Sequence, residues 1–172
     1  MDIEKDKYVI AMQRIVDTAM GVPKYSYPMY QNSARPPVVK FAAIRVLGVR
    51  SVGYADIKKV VRGDKLFQRT ENILEVSIDV LFNRGNSAGD VMQFDNCFYR
   101  PDVQAKCTEV GMEFLRKQPT KLRNRALETN WEIRTGLTCI MAVQIVDEYE
   151  IDYYTGVRIG IKFDNIDIKI EI

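Results

Sequence analysis

The amino-acid sequence predicts an α+β protein: a mostly antiparallel sheet, helices packed on one face of it, and a projecting loop or hairpin arm. Three observations lead there. A helical period opens the chain, two-residue alternation runs through residues 73–82 and 166–172, and the connections between the later strands are hairpin-sized.

The elements follow in order. Tyr8, Val9, Met12, Ile15, Val16 and Ala19 recur at helical spacing with Lys5, Asp6, Gln13 and Asp17 opposite, which predicts an amphipathic helix over residues 3–20, ended by Gly21 and Pro23. Residues 25–37 hold three tyrosines and three prolines and should run irregularly over the surface, with Pro36-Pro37 fixing the start of a strand. That strand spans residues 38–47, where Lys40 and Arg45 are the only charges, so at least one face is buried. Beyond Gly48 the pattern fits a long loop or an extended hairpin arm, over about residues 48–70, and leaves both open.

In residues 73–82, Leu74, Val76, Ile78, Val80 and Phe82 share one face while Glu75, Ser77 and Asp79 take the other, the signature of a one-sided antiparallel strand. A turn at residues 83–86 follows. Ser87 with Asp90 resembles a capping box and predicts a helix from Ala88 to Tyr99. Pro101 suits the first position of a second helical segment, residues 101–117, with Val103, Cys107, Val110, Phe114 and Leu115 on one stripe and Pro119 as its stop. Residues 134–148 read as a strand, Thr155-Gly156 as a turn into residues 157–163, and residues 166–172 as a last alternating strand.

With 172 residues, 47% hydrophobic and 28% charged, the chain is expected to fold as one domain covering residues 1–172. It contains no histidine, which removes the usual general base near neutral pH and the commonest metal ligand. Its three cysteines, Cys97, Cys107 and Cys139, have no CxxC spacing and read as buried apolar fillers in a reducing compartment. The first residues are charged, and no run of about 18 apolar residues occurs. The expectations are therefore no enzymatic activity, no catalytic residue, no metal, no cofactor and no membrane partner.

Charge distribution says more than the net +2. Residues 50–69 carry six bases against two acids, a local +4, and residues 140–172 carry seven acids against three bases, a local −4. Opposite charges at two places on one chain suit contact between copies. Arg50, Lys58, Lys59, Arg62 and Lys65 are the candidate subunit-facing or DNA-facing contacts, and Asp147, Glu148, Glu150 and Asp152 the candidate acidic partner face. Other clusters have plainer readings. Residues 84–90 lack the Gly-Lys-Ser/Thr ending of a phosphate loop and place Asp90 where it would repel a phosphate. The acids at 147–152 suit a solvated sheet edge better than a cation site. Arg116, Lys117, Lys121, Arg123 and Arg125 would complement the dipole at the C-terminus of the second helix.

Gln31-Asn32 followed by Arg35-Pro36-Pro37 and a strand, then the alternating strand leading through Asn83-Arg84-Gly85-Asn86-Ser87-Ala88 into a helix, resembles the tailed-phage neck and tail-terminator family. The likeness covers roughly residues 5–165 and rests on about a dozen positions. It implies a structural subunit of a tailed-phage virion, assembled in the host cytoplasm, that forms a ring at the neck, terminates the tail and joins it to the head connector. The implied partners are further copies of itself in a ring of about six, the tail-tube and head-connector proteins, and DNA passing through the lumen. Gln31, Asn32 and Arg35 become candidate loop contacts. The basic arm and the hydrophobic C-terminal strand depart from the family pattern. The competing reading is a small nucleic-acid- or protein-binding module that uses basic residues 50–69.

Overall fold

The computed structural model describes residues 3–29, 38–122, 125–126, 131–132, 134–151, 158–163 and 166–171, with residues 3–5, 119–132 and those past 151 described by backbone alone. The elements are α1 (Ile3–Met20), β1 (Ser26–Pro28), β2 (Phe41–Arg62), β3 (Lys65–Asn83), α2 (Ser87–Cys97), α3 (Pro101–Glu109), β4 (Glu113–Leu122), β5 (Arg125–Ala126), β6 (Trp131–Glu132), β7 (Arg134–Ile151), β8 (Arg158–Phe163) and β9 (Ile166–Glu171). Five strands form a mostly antiparallel sheet in the order β1-β2-β3-β7-β4, and β5–β6 and β8–β9 form two small hairpins. The α+β architecture is the one the sequence predicts. Within it β1 runs parallel to β2, Ser26 facing Ala42, and β4 runs antiparallel to β7.

The chain divides into two compact units, one of residues 1–54 with 72–145 and one of residues 55–71 with 146–172. In the first, alternation on the strands meets helical spacing on α1 and α2. Val76, Ile78, Val80 and Phe82 of β3 and Leu137, Cys139 and Met141 of β7 pack in one cluster with Met12, Ile15, Val16 and Ala19 of α1 and Phe94 of α2. Rings continue through this core: Tyr25 to Phe82 at 6.3 Å, Phe82 to Phe94 at 5.6 Å, Phe94 to Phe98 at 5.0 Å, Phe98 to Phe114 at 4.0 Å. Tilted and stacked aromatic pairs of this kind add about 0.5–1.5 kcal/mol each beyond area burial. Helix α1 has the predicted limits, because its buried stripe and its terminator are both local signals.

The second unit holds β2 from residue 55, β3 up to residue 71, β7 from residue 146, and the β8–β9 hairpin. The open choice between loop and arm resolves here. Residues 48–70 form a hairpin in which β2 turns into β3 through Gly63-Asp64. Gly63 has φ +61°, the left-handed conformation that two-residue hairpin loops of the primed types demand at their first position.

Several local expectations are corrected. The strand predicted over residues 38–47 begins at Phe41, leaving Val38 and Val39 exposed outside it, and continues to Arg62. Tyr25 and Ser26 are buried rather than on the surface, because β1 adds to the sheet edge. Helix α2 is capped by Asn86, whose side chain accepts from the Gly89 amide at 3.1 Å. Ser87 instead shares a hydrogen bond with Thr135, and Asp90 accepts from the Tyr25 hydroxyl at 3.1 Å. The second helix keeps Pro101 at its start but ends at Glu109. Gly111, at φ +69°, then reverses the chain into β4. Phe114 reaches the core from a strand as it would have from a helix, which is why the apolar stripe misled. Pro119 lies inside β4, between Gln118 and Lys121 where the register with β7 shifts, an edge position that tolerates a missing donor.

Candidate functional site

The charged residues singled out in the sequence fall on two separate settings. Arg50 belongs to the first unit, where its Nε donates to Glu75 at 2.7 Å, and Arg116 of β4 donates to the same carboxylate at 3.1 Å. Glu75 is buried, so two cations, one from the neighbouring β2 and one reaching past β7 from β4, stabilise a charge that would otherwise be costly. Two repeats of the pleat further on, Asp79 is fully buried between Arg45 of β2 at 3.0 Å and Thr138 of β7 at 3.1 Å. Arg116 and Lys117, predicted to serve a helix dipole, are strand residues, and Lys117 pairs with Asp95 of α2. None of these groups forms an open binding site.

The arm is different. Side chains on a strand alternate between faces, and Arg62 meets Glu148 at 2.8 Å while Lys65 meets Glu150 at 2.8 Å. One face of the arm therefore carries Asp56, Lys58 and Arg62 of β2, Lys65, Phe67, Arg69 and Glu71 of β3, and Glu148 and Glu150 of β7. Its charges are matched within the chain: Lys58 lies 2.7 Å from Asp56 and 3.9 Å from Glu71, and Arg69 lies 2.8 Å from Glu71. The Arg62 guanidinium also stands 5.9 Å from the Phe67 ring centre. The hydrogen bond that Lys58 donates to the Asp56 carboxylate raises the Lys58 pKa above its ordinary value. Exposed pairs of this sort contribute about 0–1 kcal/mol each, so they set the arm's register more than its stability.

The opposite face carries Ile57, Lys59 and Val61 of β2 with Asp147 and Tyr149 of β7. Ile57, Val61 and Tyr149 are 60%, 65% and 50% exposed, an unusual concentration of apolar surface on a narrow ribbon. Lys59 and Asp147 are exposed and have no ion-pair partner among the described residues. Of the candidate contacts, then, the structure brings Arg62 and Lys65 to Glu148 and Glu150 of the same chain, ties Lys58 to Asp56 and Glu71 and Arg50 to Glu75, and leaves Lys59 and Asp147 open. Asp152, Gln31, Asn32 and Arg35 lie outside the described residues. Glu71, which holds Lys58 and Arg69, was missed because it lies between the charge window of residues 50–69 and the strand of residues 73–82, and Glu75, which holds Arg50 and Arg116, because that strand was read only for its alternation.

The turn before α2 is a helix cap and not an anion site: Asp90 is taken up by Tyr25 and by Lys40, whose Nζ is 3.2 Å away. Among the described residues no group of three or more Cys, Asp or Glu is placed to hold a metal ion, and no helix is long and apolar enough to cross a membrane. Burial pushes the Cys97 thiol up to about 12 and raises those of Cys107 and Cys139, so none is an activated nucleophile.

Compared with known families, residues 9–167 match the one described as phage neck terminator protein. No curated protein matches the sequence.

Proposed function

This chain belongs to the phage neck terminator family, whose members have a structural role at the tail, and from that premise we propose that copies of it close into a ring at the neck, ending the tail and joining it to the head connector. The observation that carries the reading is that the family match spans the arm together with both of its charged outer strands, a feature suited to contact with neighbours. A ring is built from a heterologous contact, which needs two different complementary surfaces on each copy. The arm supplies a strand with Lys59 and a strand with Asp147. The tail tube and head connector would meet the ring's two ends and DNA would pass through its lumen. The role needs no catalytic residue or cofactor, and assembly would take place in the host cytoplasm before incorporation into the virion.

Residues 50–69 serve a nucleic-acid module less well than their sequence suggests. Four of the five candidate cations hold acids of their own chain, which leaves no bare cationic track along which phosphates would displace counterions. Native mass measurement with negative-stain imaging tests the proposal. A closed ring of about six copies, alone or on addition of a connector ring, is the expected result. A monomer at every concentration and with every neck partner, binding DNA in a steeply salt-dependent way, would overturn it in favour of the module.

A further inference from the structure

In the arm, β3 is paired on both sides, by β2 and by β7. Its two neighbours are not. Among the described residues, strand β1 pairs with β2 at Ala42–Ile44, Ser26 facing Ala42 and Pro28 facing Ile44, and β4 reaches no further along β7 than Ala142. Among the described residues, residues 55–62 of β2 and 146–151 of β7 therefore each present one edge with unpaired backbone groups. Exposed edges are templates for pairing with another chain, and the shorter of these two would support a ladder of about 20 Å.

Direction and charge decide what can pair. The two-residue turn makes β2 and β3 antiparallel. Strand β3 is antiparallel to β7 as well, since Lys65 at its start meets Glu150 near the end of β7 while Asp79 further on meets Thr138 near the beginning. Strands β2 and β7 thus run the same way. A neighbour related by rotation about an axis along the arm would lay its β7 beside this β2 in parallel. Lys58, Arg62, Glu148 and Glu150 are matched within the chain, so among the described residues Lys59 is the charge that the β2 edge keeps for a neighbour and Asp147 the one that the β7 edge keeps. Two β2 edges repel each other, and so do two β7 edges. Only the unlike edges attract, which selects a head-to-tail contact over a symmetric dimer.

We infer that the β2 edge of one copy pairs in parallel with the β7 edge of the next, Lys59 of one meeting Asp147 of the other, so that the arms join into a continuous sheet. The inference rests on the ring reading and says which strands make the ring. Lys59 and Asp147 lie on the same face of the ribbon, the face whose Ile57, Val61 and Tyr149 are exposed, so the junction would also cover apolar surface left open in one chain. The self-neutralised opposite face needs nothing from a neighbour.

The test is a charge swap in the full chain. Lys59→Glu and Asp147→Lys should each raise the concentration needed for ring formation by about tenfold or more at low salt, and the double variant should restore it. Both positions are exposed, so unchanged thermal melting of the variants would show that folding is intact. A second experiment uses disulfides. Lys59→Cys mixed with Asp147→Cys should give cross-linked dimers under oxidation, and the double cysteine variant a ladder up to the ring. The native cysteines Cys97, Cys107 and Cys139 are buried and do not compete. Rings that form normally with either single reversal, or a double variant no better than the singles, would overturn the edge pairing while leaving the ring standing. Wild-type protein that never forms rings, even with its neck partners, would remove both.

Discussion

Strands β2, β3 and β7 each contribute one stretch to the helix-covered unit and one to the arm, and the two stretches obey different chemistry. In the first unit β3 runs Val76, Ile78, Val80, Phe82 against helices, and its other face buries Asp79 and Glu75 with their cations supplied by β2 and β4. In the arm β2 exposes residues on both faces and spends its charges on one side only. The comparison separates two uses of a strand. Where a face is buried, each side chain has a fixed environment and its loss is felt by folding. Where both faces are wet, side chains contribute little to folding and become available for recognition.

The contrast can be broken most directly in the core. Phe94→Ala removes the ring between Phe82 and Phe98 and should cost about 3–5 kcal/mol in chemical denaturation, whereas Ile57→Ala on the arm should stay within about 0.5 kcal/mol. Comparable losses at the two sites would abolish the distinction. Asp79→Ala comes next. It leaves Arg45 without its carboxylate and should cost about 1–3 kcal/mol, less than a fully enclosed cation would, because Arg45 keeps some access to water.

Alkaline titration reads the same core through its thiols. Burial raises the folded-state pKa of Cys97 from 9.0 to about 12, and also raises those of Cys107 and Cys139. The folded chain therefore holds protons that the unfolded chain releases, so this contribution is fully present below pH 9 and is lost as pH rises toward 12. Melting temperature should decline across that window, and a Cys97→Ala variant should decline less steeply. The smallest effect belongs to the arm. Glu150→Gln, which uncouples Lys65, should change stability by less than about 1 kcal/mol, and that small change should vanish in high salt. A larger, salt-insensitive loss would show that the arm's ion pairs are structural after all.

How much was legible beforehand varied with the range of the signal. Helix α1 and the inward face of β3 could be read because period and terminator lie within a few residues. Helix α3 could not be read beyond its start. Val110, Phe114 and Leu115 satisfy a helical stripe and a strand about equally, and Gly111 was the one local sign of the break. The candidate site was legible as charge and illegible as pairing: Lys58, Lys59, Arg62 and Lys65 were all in view, but nothing local says that three of them hold acids of their own chain and one does not.

By itself, the sequence determined the α+β class, the first helix, the one-sided strand, the absence of histidine and the opposed charges of residues 50–69 and 140–172. Tertiary structure alone decided that residues 48–70 form a hairpin, that Asn86 and not Ser87 caps α2, that the buried Asp79 meets a half-buried Arg45, and that Lys59 and Asp147 remain open. The physical reason is that periodicity encodes which side of an element is buried, a property of neighbours in sequence. Partner choice depends on strand order and register, which are fixed only when residues as far apart as Lys65 and Glu150 are brought together.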